Sequence, residues 1–301
     1  MSGADTVLVV DDSAIDRRLA GRLLEKAGFG VRYATDGDEA LVEIEREAPS
    51  IVLTDLHMPK LDGLELVVAI RKRKPKLPVV LMTAHGSEAI AMHALRVGAA
   101  SFVPKRRLAD ELASTLRAIV DLAVDSGDRT SNVDPLDARE SRFVLDNDVA
   151  GITEVVGQLE AELARLGICD ETGLIQVGVA LREAIVNAIV HGNLEVSSKL
   201  LEETTASGGT AFAELVAERR SKDPWRRRRV SVLARYEPDE VTYRIEDEGP
   251  GFDPSGLPDP TDAANLERLH GRGLMLMRMF MDEVTHSPTG NVVSMTKRRA
   301  R

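Results

Sequence analysis

Four short apolar runs in the first half of the chain each end in polar residues suited to a cation or a phosphate group. TVLVV runs into Asp11 and Asp12, SIVLT into Asp55, LPVVLM into Thr83, and ASFVP into Lys105. Amphipathic helical stretches separate these runs. Apolar strands that alternate with helices pair in parallel and bury both faces of their sheet. We therefore predict an α/β domain built on a parallel sheet.

The polar residues at these strand ends should lie together, because ligands of such sheets bind beyond the carboxyl ends of the strands. Three carboxylates in one pocket repel each other unless a hard cation is bound, and oxygen ligands favour Mg²⁺. Thr83 can donate to a phosphoryl oxygen, and Lys105 can neutralise one. An aspartate after a strand is more often a turn or cap residue, but four strand ends of the required type indicate an aspartate that accepts a phosphoryl group.

Residues 1–124 resemble a response-regulator receiver domain. The matching motifs are the acid pair in VVDDS, Asp55 in LTDLHMPKLDG, Thr83 in LMTA and Lys105 in FVPK. The resemblance implies a doubly wound, five-stranded parallel sheet, with Asp55 as the phosphoacceptor and Thr83 and Lys105 as its catalytic partners. It also implies a partner upstream, a cognate histidine kinase or phosphotransfer protein.

The same resemblance implies a Mg²⁺ site. Asp12 and Asp55 would ligate the ion together with the backbone carbonyl of His57, and Asp11 would assist through water.

Two further positions bear on switching. Phe102 occupies the place of the family's switch aromatic, which moves when Thr83 is drawn toward the phosphate. The family usually has proline after the lysine, whereas Arg106 follows Lys105 here. A cis bond at a non-proline residue costs about 3 kcal/mol, so we expect a differently built loop after the last strand.

A polar stretch, residues 125–141, follows the receiver and is interpreted as a linker to a second domain at residues 142–301. A chain of 301 residues is long enough for two domains, each with its own core. The second part is too long and too acidic to be a DNA-reading helix pair, and the net charge of −10 argues against broad nucleic-acid affinity. No direct DNA binding is expected.

The compartment is predicted from what the sequence lacks. A single cysteine, Cys169, cannot form an internal disulfide. The first residues have no basic flank, and no apolar run approaches the roughly 18 residues that a membrane helix needs. We expect a cytoplasmic protein without a membrane partner.

The stretch LREAIVNAIVHGN places Glu183, Asn187 and His191 at four-residue steps on one side of an apolar helix, since each step drifts only about 40°. Three explanations compete. The first is a core helix with a satisfied polar side. The second, a zinc site of the H-E-x-x-H kind, fails because one histidine is missing. The third is a nucleotide site in which Glu183 is a candidate general base and the amide oxygen of Asn187 binds Mg²⁺.

Two glycine pairs downstream favour the nucleotide site. VTYRIEDEGPGF alternates as a strand into Asp247, Gly249 and Gly251, and HGRGLMLMRMF carries Gly271 and Gly273 at the start of an apolar helix. Glycine lets backbone approach phosphate closely, and a helix N-terminus favours anions. Neither of the two common phosphate-binding motifs, G-x-x-x-x-G-K-[ST] and G-x-G-x-x-G, occurs.

In this order the motifs resemble the GHKL ATP-binding superfamily, or Bergerat fold, over about residues 142–297. The resemblance implies an α+β domain with helices on one face of a mixed sheet, ATP and Mg²⁺ as cofactors, and a lid at residues 252–270. The residues it assigns to the nucleotide are Asn187 for Mg²⁺, Asp247 for the adenine amino group, Gly249 and Gly251 beside the base, and Gly271 and Gly273 at the phosphates.

Within this superfamily the chain looks most like the anti-sigma-factor serine kinases. No histidine lies between His93 and His191, so no helix before the ATP domain offers the acceptor of a sensor histidine kinase. In the serine kinases the glutamate at the position of Glu183 is the proposed base for a serine or threonine of an anti-anti-sigma (STAS-type) partner. Arg268 or Arg272 would face the γ-phosphate.

We interpret the chain as a two-component signalling protein: a receiver that regulates an ATP-dependent protein serine/threonine kinase. A homodimer is expected, and a sigma factor is a further partner of this kind of protein. Two alternatives stay open. The ATP domain could sequester a partner without turnover, or it could phosphorylate a histidine on a separate protein.

Overall fold

The computed structural model describes residues 5–84, 88–125, 139–196, 210–254 and 272–299. These residues form two compact units.

The first unit alternates strands and helices throughout. Its elements are β1 Thr6–Val10, α1 Ala14–Lys26, β2 Gly30–Ala34, α2 Gly37–Arg46, β3 Ile51–Asp55, α3 Gly63–Arg73, β4 Val79–Thr83, α4 Glu88–Val97, β5 Ser101–Pro104 and α5 Leu108–Asp125. The strands lie in the order β2-β1-β3-β4-β5 and all pair in parallel. The predicted five-stranded, doubly wound α/β fold is confirmed.

Burial and capping explain why these segments adopt their structures. Every residue of β3 and β4 is buried, as expected for strands covered on both faces. Helix α1 begins after Ser13, whose side chain accepts the Asp16 N–H at 3.3 Å. Helix α3 begins with a complete capping box between Asp62 and Glu65. The strands therefore run from a buried core to one polar edge of the sheet.

The second unit combines an antiparallel sheet with helices. Its elements are β6 Arg139–Leu145, α6 Ala150–Leu166, α7 Glu171–Asn187 from Val177 onward, a π-helical turn Ala188–Asn193, α8 Thr210–Ser221, β7 Val230–Tyr236, β8 Glu240–Asp247, α9 Arg272–Phe280, β9 Glu283–His286 and β10 Val292–Arg298. The strand order is β6-β7-β8-β10-β9. The α+β prediction is confirmed; the four strand pairings described are all antiparallel, where a mixed sheet was expected.

One face of this sheet is buried. In β8 the alternate residues Val241, Tyr243, Ile245 and Asp247 are buried, whereas the residues between them are partly or fully exposed. Period-two burial is the mark of a sheet covered on one side only. Because Asp247 continues the buried series at the end of the strand, the fold places its carboxylate inside the unit.

Helix α7 packs its apolar residues as the sequence predicted. Leu181, Ala184, Ile185, Ala188 and Ile189 are all buried. By length and composition alone the stretch Glu171–Asn193 is the one described helix that could cross a membrane. Most of it is buried within the protein, which is also the property of a core helix.

The structure changes one sequence interpretation, that of the linker, and shows how far helix α8 is buried. Strand β6 begins at Arg139, within the stretch interpreted as a linker, because its backbone pairs with β7 in spite of its polar composition. In the region from Leu194 to Trp225, α8 begins at Thr210, and Leu215 and Val216 are only half-buried. The apolar side of α8 is therefore not a fully buried layer.

Candidate functional site

Three aspartates of the first unit lie together at the carboxyl edge of its sheet. Asp11 and Asp12 follow β1, and Asp55 ends β3. One carboxylate oxygen from each of the three lies within 4.8 Å of the others. Asp11 and Asp55 are buried and Asp12 is exposed. This all-oxygen donor set, open on one side, fits a hard divalent cation such as Mg²⁺.

Lys105 closes the cluster from β5. Its Nζ lies 3.0 Å from Asp11 Oδ2 and 3.0 Å from Asp55 Oδ1. Burial lowers the pKa of Lys105, but hydrogen bonds to the surrounding carboxylates outweigh it and raise the pKa above its ordinary value. Burial also raises the pKa of Asp11, against the opposing effect of Lys105. The sequence-predicted charges are thus brought together, with the lysine held as a cation.

A third carboxylate, Asp16, also contacts Lys105, with Oδ2 2.9 Å from Nζ. Sequence reasoning missed this residue. Its position one helical turn after the acid pair was the available signal, because the first turn of α1 starts at the same sheet edge.

Thr83 and Phe102 lie where the sequence predicted. Thr83 is the buried last residue of β4, beside the end of β5. Phe102 is buried within β5. The described residues contain a cis peptide bond only at Asp223–Pro224, so the bond from Lys105 to Arg106 is trans, and a 3₁₀ turn follows β5. That this loop differs from the family's stays a prediction.

The loop that follows Asp55 is closed by short-range contacts. A side chain at Gly63 would overlap the Asp55 carbonyl, and the Gly63 N–H donates to the Leu56 carbonyl at 3.1 Å. Lys60 adopts a left-handed backbone, with φ of 65°, and forms an ion pair with Asp36. The side chain of His57 in this loop is exposed. The role of its backbone carbonyl as a Mg²⁺ ligand stays a prediction.

In the second unit, helix α7 meets the start of α9. A side chain at Gly273 would lie 2.7 Å from Glu183 Oε2 and 3.5 Å from Asn187 Nδ2. A side chain at this position would displace the Glu183 carboxylate from its place beside the start of α9. Glu183 and Gly273, which are 90 residues apart in sequence, therefore lie side by side with Asn187.

The end of α7 also packs against the first glycine motif. A side chain at Gly192 would lie 2.6 Å from Asp247 Oδ2, and one at Gly249 would overlap the Gly192 carbonyl. The Gly249 N–H donates to Asp247 Oδ1 at 2.9 Å. These contacts require glycine at both positions, and they place the Asp247 carboxylate between the π-helical turn and the loop after β8.

The β9–β10 hairpin supports the same loop. Gly251 has φ of 75°, and a side chain there would overlap the Thr289 carbonyl. The Phe252 N–H donates to that carbonyl at 3.0 Å, and the Asp247 N–H donates to the Asn291 carbonyl at 3.0 Å. Gly251 is thus required for its backbone conformation as well as for its small size.

Burial dominates the electrostatics of Asp247. It raises the pKa of this carboxyl to about 6, against the lowering effects of the Gly249 N–H and the Arg228 guanidinium. Buried carboxylates with an elevated pKa occur often at functional sites. Asp247 is such a carboxylate, and it lies against Gly192 and Gly249.

Sequence reasoning missed a hydrogen-bond network that joins these parts. Asn193 is fully buried; its Oδ1 accepts the Glu248 N–H at 2.8 Å and its Nδ2 donates to Asn147 Oδ1 at 2.8 Å. Asn147 in turn donates to the Trp225 carbonyl, and Arg228 donates to the Asn193 carbonyl, both at 2.7 Å. The basic run WRRRR contributes two members of this network, the Trp225 carbonyl and the Arg228 guanidinium.

His191 lies in a π-helical turn that follows helix α7. The helix widens from α to π geometry at Ala188, which changes the four-residue spacing, and π-turns occur often at functional sites. The His191 Nδ1 lies 2.5 Å from the Val196 carbonyl. The place of His191 on the same side as Glu183 and Asn187 stays a prediction.

Several predicted residues lie outside the described part of the chain. These are Gly271, Arg268 and most of the predicted lid, residues 255–270. The side chain of Arg272 is likewise outside it.

Comparison with known protein families matches both units. Residues 7–117 match the response regulator receiver domain. Residues 145–297, half of the chain, match the histidine kinase-like ATPase domain.

Curated relatives match part of this chain. The nitrogen assimilation regulatory protein NtrX of Azorhizobium caulinodans is 31% identical over 166 residues, which are 54% of this chain and 35% of that protein. The C4-dicarboxylate transport transcriptional regulatory protein DctD of Rhizobium meliloti is 37% identical over 117 residues, 39% of this chain and 25% of that protein. The chain thus spans about a third or less of the length of these two relatives.

Solved structures similar to this chain include receiver domains. The receiver domain of NtrX from Brucella abortus is 37% identical, covering 37% of this chain and 95% of its own, with a TM-score of 0.34. A receiver domain protein from Clostridium thermocellum is 29% identical, covering 40% and 94%, with a TM-score of 0.37.

The antiparallel α+β unit, in which glycines pack against Asp247, matches the ATPase family over half of the chain. The parallel sheet with its acidic edge matches the receiver family. The chain belongs to the histidine kinase-like ATPase domain family and carries a response regulator receiver domain on the N-terminal side of that domain.

Proposed function

We propose that the second unit is an ATP-dependent protein kinase of the anti-sigma-factor type, and that the receiver regulates it. The observation that carries the proposal is the position of Glu183, whose Oε2 faces Gly273 beside the Asn187 amide. A carboxylate next to a phosphate-binding helix start is placed to serve as a base for a hydroxyl nucleophile.

In the proposed reaction Glu183 accepts the proton of a serine or threonine hydroxyl on an anti-anti-sigma (STAS-type) partner. The hydroxyl oxygen forms a bond to the γ-phosphorus, the bond from that phosphorus to the β,γ-bridging oxygen breaks, and ADP leaves with the electron pair. Asn187 would hold Mg²⁺, which supplies neutralising charge for the phosphates. Asp247 would accept a hydrogen bond from the adenine amino group, and Gly249, Gly251, Gly271 and Gly273 would line the nucleotide.

The receiver is proposed to take a phosphoryl group from a histidine kinase or phosphotransfer protein. A carboxylate oxygen of Asp55 bonds to the phosphorus, and the donor's leaving group keeps the electron pair of the broken bond. Asp11, Asp12, Asp55 and the His57 carbonyl would hold Mg²⁺, and Lys105 and Thr83 would contact phosphoryl oxygens. The protein is further proposed to be a cytoplasmic homodimer. Phosphorylation of Asp55 would change how two receivers pair through the face that carries Phe102.

The test is transfer of label from γ-³²P-ATP to a purified STAS-type protein. Acid-stable label on serine or threonine is the expected result, and Glu183→Gln should slow transfer by about 10²- to 10⁴-fold, the usual contribution of a general base. Nucleotide affinity should change little. Glu154→Gln, which alters an exposed acid on α6, is the matched control.

Other outcomes would contradict the proposal. Acid-labile label would indicate a histidine kinase, and tight partner binding without transfer would indicate sequestration. Transfer at the wild-type rate by Glu183→Gln would remove the role of this residue.

Nucleotide affinity should depend on pH through Asp247. Because the pKa of this carboxyl is about 6, it accepts the adenine hydrogen bond fully above about pH 7, and affinity should fall by up to about tenfold per pH unit below 6. Calorimetry between pH 5 and 8 measures this. Adenosine, which carries no phosphate that titrates in this range, separates the effect from the nucleotide's own ionisation; a flat profile for adenosine would contradict the assignment.

A further inference from the structure

The ammonium group of Lys105 has three carboxylate neighbours, one for each of its N–H donors. Asp11 Oδ2 and Asp55 Oδ1 lie at 3.0 Å, and Asp16 Oδ2 lies at 2.9 Å. Two of these carboxylates belong to the cluster that fits a divalent cation. Asp16 does not, since it extends from the first turn of α1 and reaches the lysine from outside that cluster.

A bound cation changes the balance of these contacts. Asp11 and Asp55 would share their charge with the cation, and the cation would repel the ammonium group by its own charge. Phosphorylation would then convert Asp55 from a free carboxylate into an acyl phosphate. Only the contact with Asp16 is independent of both events. Lys105 is a long, flexible side chain that is partly exposed, so it needs such a contact to stay in the site.

We propose that Asp16 is a positioning residue for phosphorylation, which retains the Lys105 ammonium beside Asp55 when a divalent cation occupies the acidic cluster. The inference rests on the proposed role of Asp55 as phosphoacceptor and adds a residue to that site. It assigns Asp16 no contact with the cation or the phosphoryl group.

A simpler explanation of Asp16 is a favourable charge at the N-terminus of α1. Ser13 already caps this helix through the Asp16 N–H, so the carboxylate is not needed for capping. Asp110, an exposed acid in the first turn of α5, provides the matched control for a charge effect on a helix end.

The experiment measures phosphorylation of the full chain by ³²P-labelled acetyl phosphate without ATP, at saturating Mg²⁺. Asp55 bonds to the phosphorus as acetate leaves. Asp16→Asn should lower the maximal rate about three- to fivefold, as expected from loss of a partly exposed ion pair, with little change in the half-saturating acetyl phosphate concentration. Asp16→Glu should recover most of the rate, and Asp110→Asn should match wild type. Thermal unfolding of each variant verifies its fold.

Two measurements separate positioning from a simple charge effect. In a Lys105→Gln background, Asp16→Asn should cause no further loss of rate, because Asp16 acts through the lysine. Mg²⁺ affinity measured by calorimetry should not fall in Asp16→Asn. An equal loss in both backgrounds, or weaker Mg²⁺ binding with a normal rate at saturation, would overturn the inference. Absence of Asp55-dependent labelling in the wild type, tested with Asp55→Asn, would instead overturn the proposed function.

Discussion

Replacing Asp247 with asparagine should stabilise the second unit at pH 8 and weaken its binding of ATP at least about a hundredfold. The pKa of Asp247 is about 6, against 3.8 for an ordinary aspartate, because the carboxyl is buried. Ionisation of this group therefore costs the fold up to about 3 kcal/mol at high pH. The cost is absent below the unfolded-state pKa of 3.8 and grows as the pH rises through 6.

Asparagine removes the buried charge and keeps the oxygen that accepts the Gly249 N–H. Its amide N–H groups need partners of their own, so we expect a net gain of about 1–2 kcal/mol. The same amide would meet the adenine amino group with two donors face to face, which should weaken ATP binding at least about a hundredfold.

Trp225 is the sole tryptophan of the chain and lies in the second unit, so its fluorescence follows unfolding of that unit in urea. The wild type should lose stability from pH 5 to pH 8, and Asp247→Asn should not. Calorimetry with Mg²⁺ and a non-hydrolysable ATP analogue measures the binding. A variant that is less stable at pH 8, or that binds ATP normally, would contradict this account of Asp247.

Gly249→Ala should damage both the fold of the second unit and its nucleotide affinity. A Cβ at this position would overlap the Gly192 carbonyl and lie 2.8 Å from Asp247 Oδ1. Because the first obstacle is backbone, no side-chain rotation relieves it. The π-helical turn and the loop after β8 would have to separate, at a cost of about 3 kcal/mol.

Urea unfolding followed by Trp225 fluorescence tests the stability, and titration with a fluorescent ATP analogue should show at least about a tenfold loss of affinity. Gly151→Ala is the matched control: this glycine lies in the first turn of α6, and its Cβ would be 3.9 Å from Leu145 Cδ2. The control should be neutral or slightly more stable. If Gly249→Ala behaves like the control, the close packing of these two segments is not needed.

The receiver site was predictable because its residues follow strands whose order and direction are constrained. Asp55 and Thr83 end neighbouring parallel strands, so their proximity follows once the strands are recognised. Asp16 was not predictable in the same way. A carboxylate on the first turn of a helix can face solvent or a lysine, and the spacing of apolar residues is the same in both cases.

In the second unit, the glycine motifs identified segments that pack closely against other elements, but not the partners in that packing. Nothing local to Gly273 indicates that it packs against Glu183, and nothing in a run of arginines indicates that Arg228 binds the Asn193 carbonyl. Helical spacing also gave no sign of the π-turn at Ala188–Asn193, because a change from α to π hydrogen bonding leaves the order of residue types unchanged.

By itself the sequence determined the two fold classes and the identity of most candidate site residues, since strand burial, helix spacing and glycine positions are recorded locally along the chain. Only the tertiary structure decided which distant residues touch: Asp16 with Lys105, Glu183 with Gly273, and Asn193 with Glu248. Those contacts depend on how closely separate segments approach, and that distance is set by packing across the whole unit.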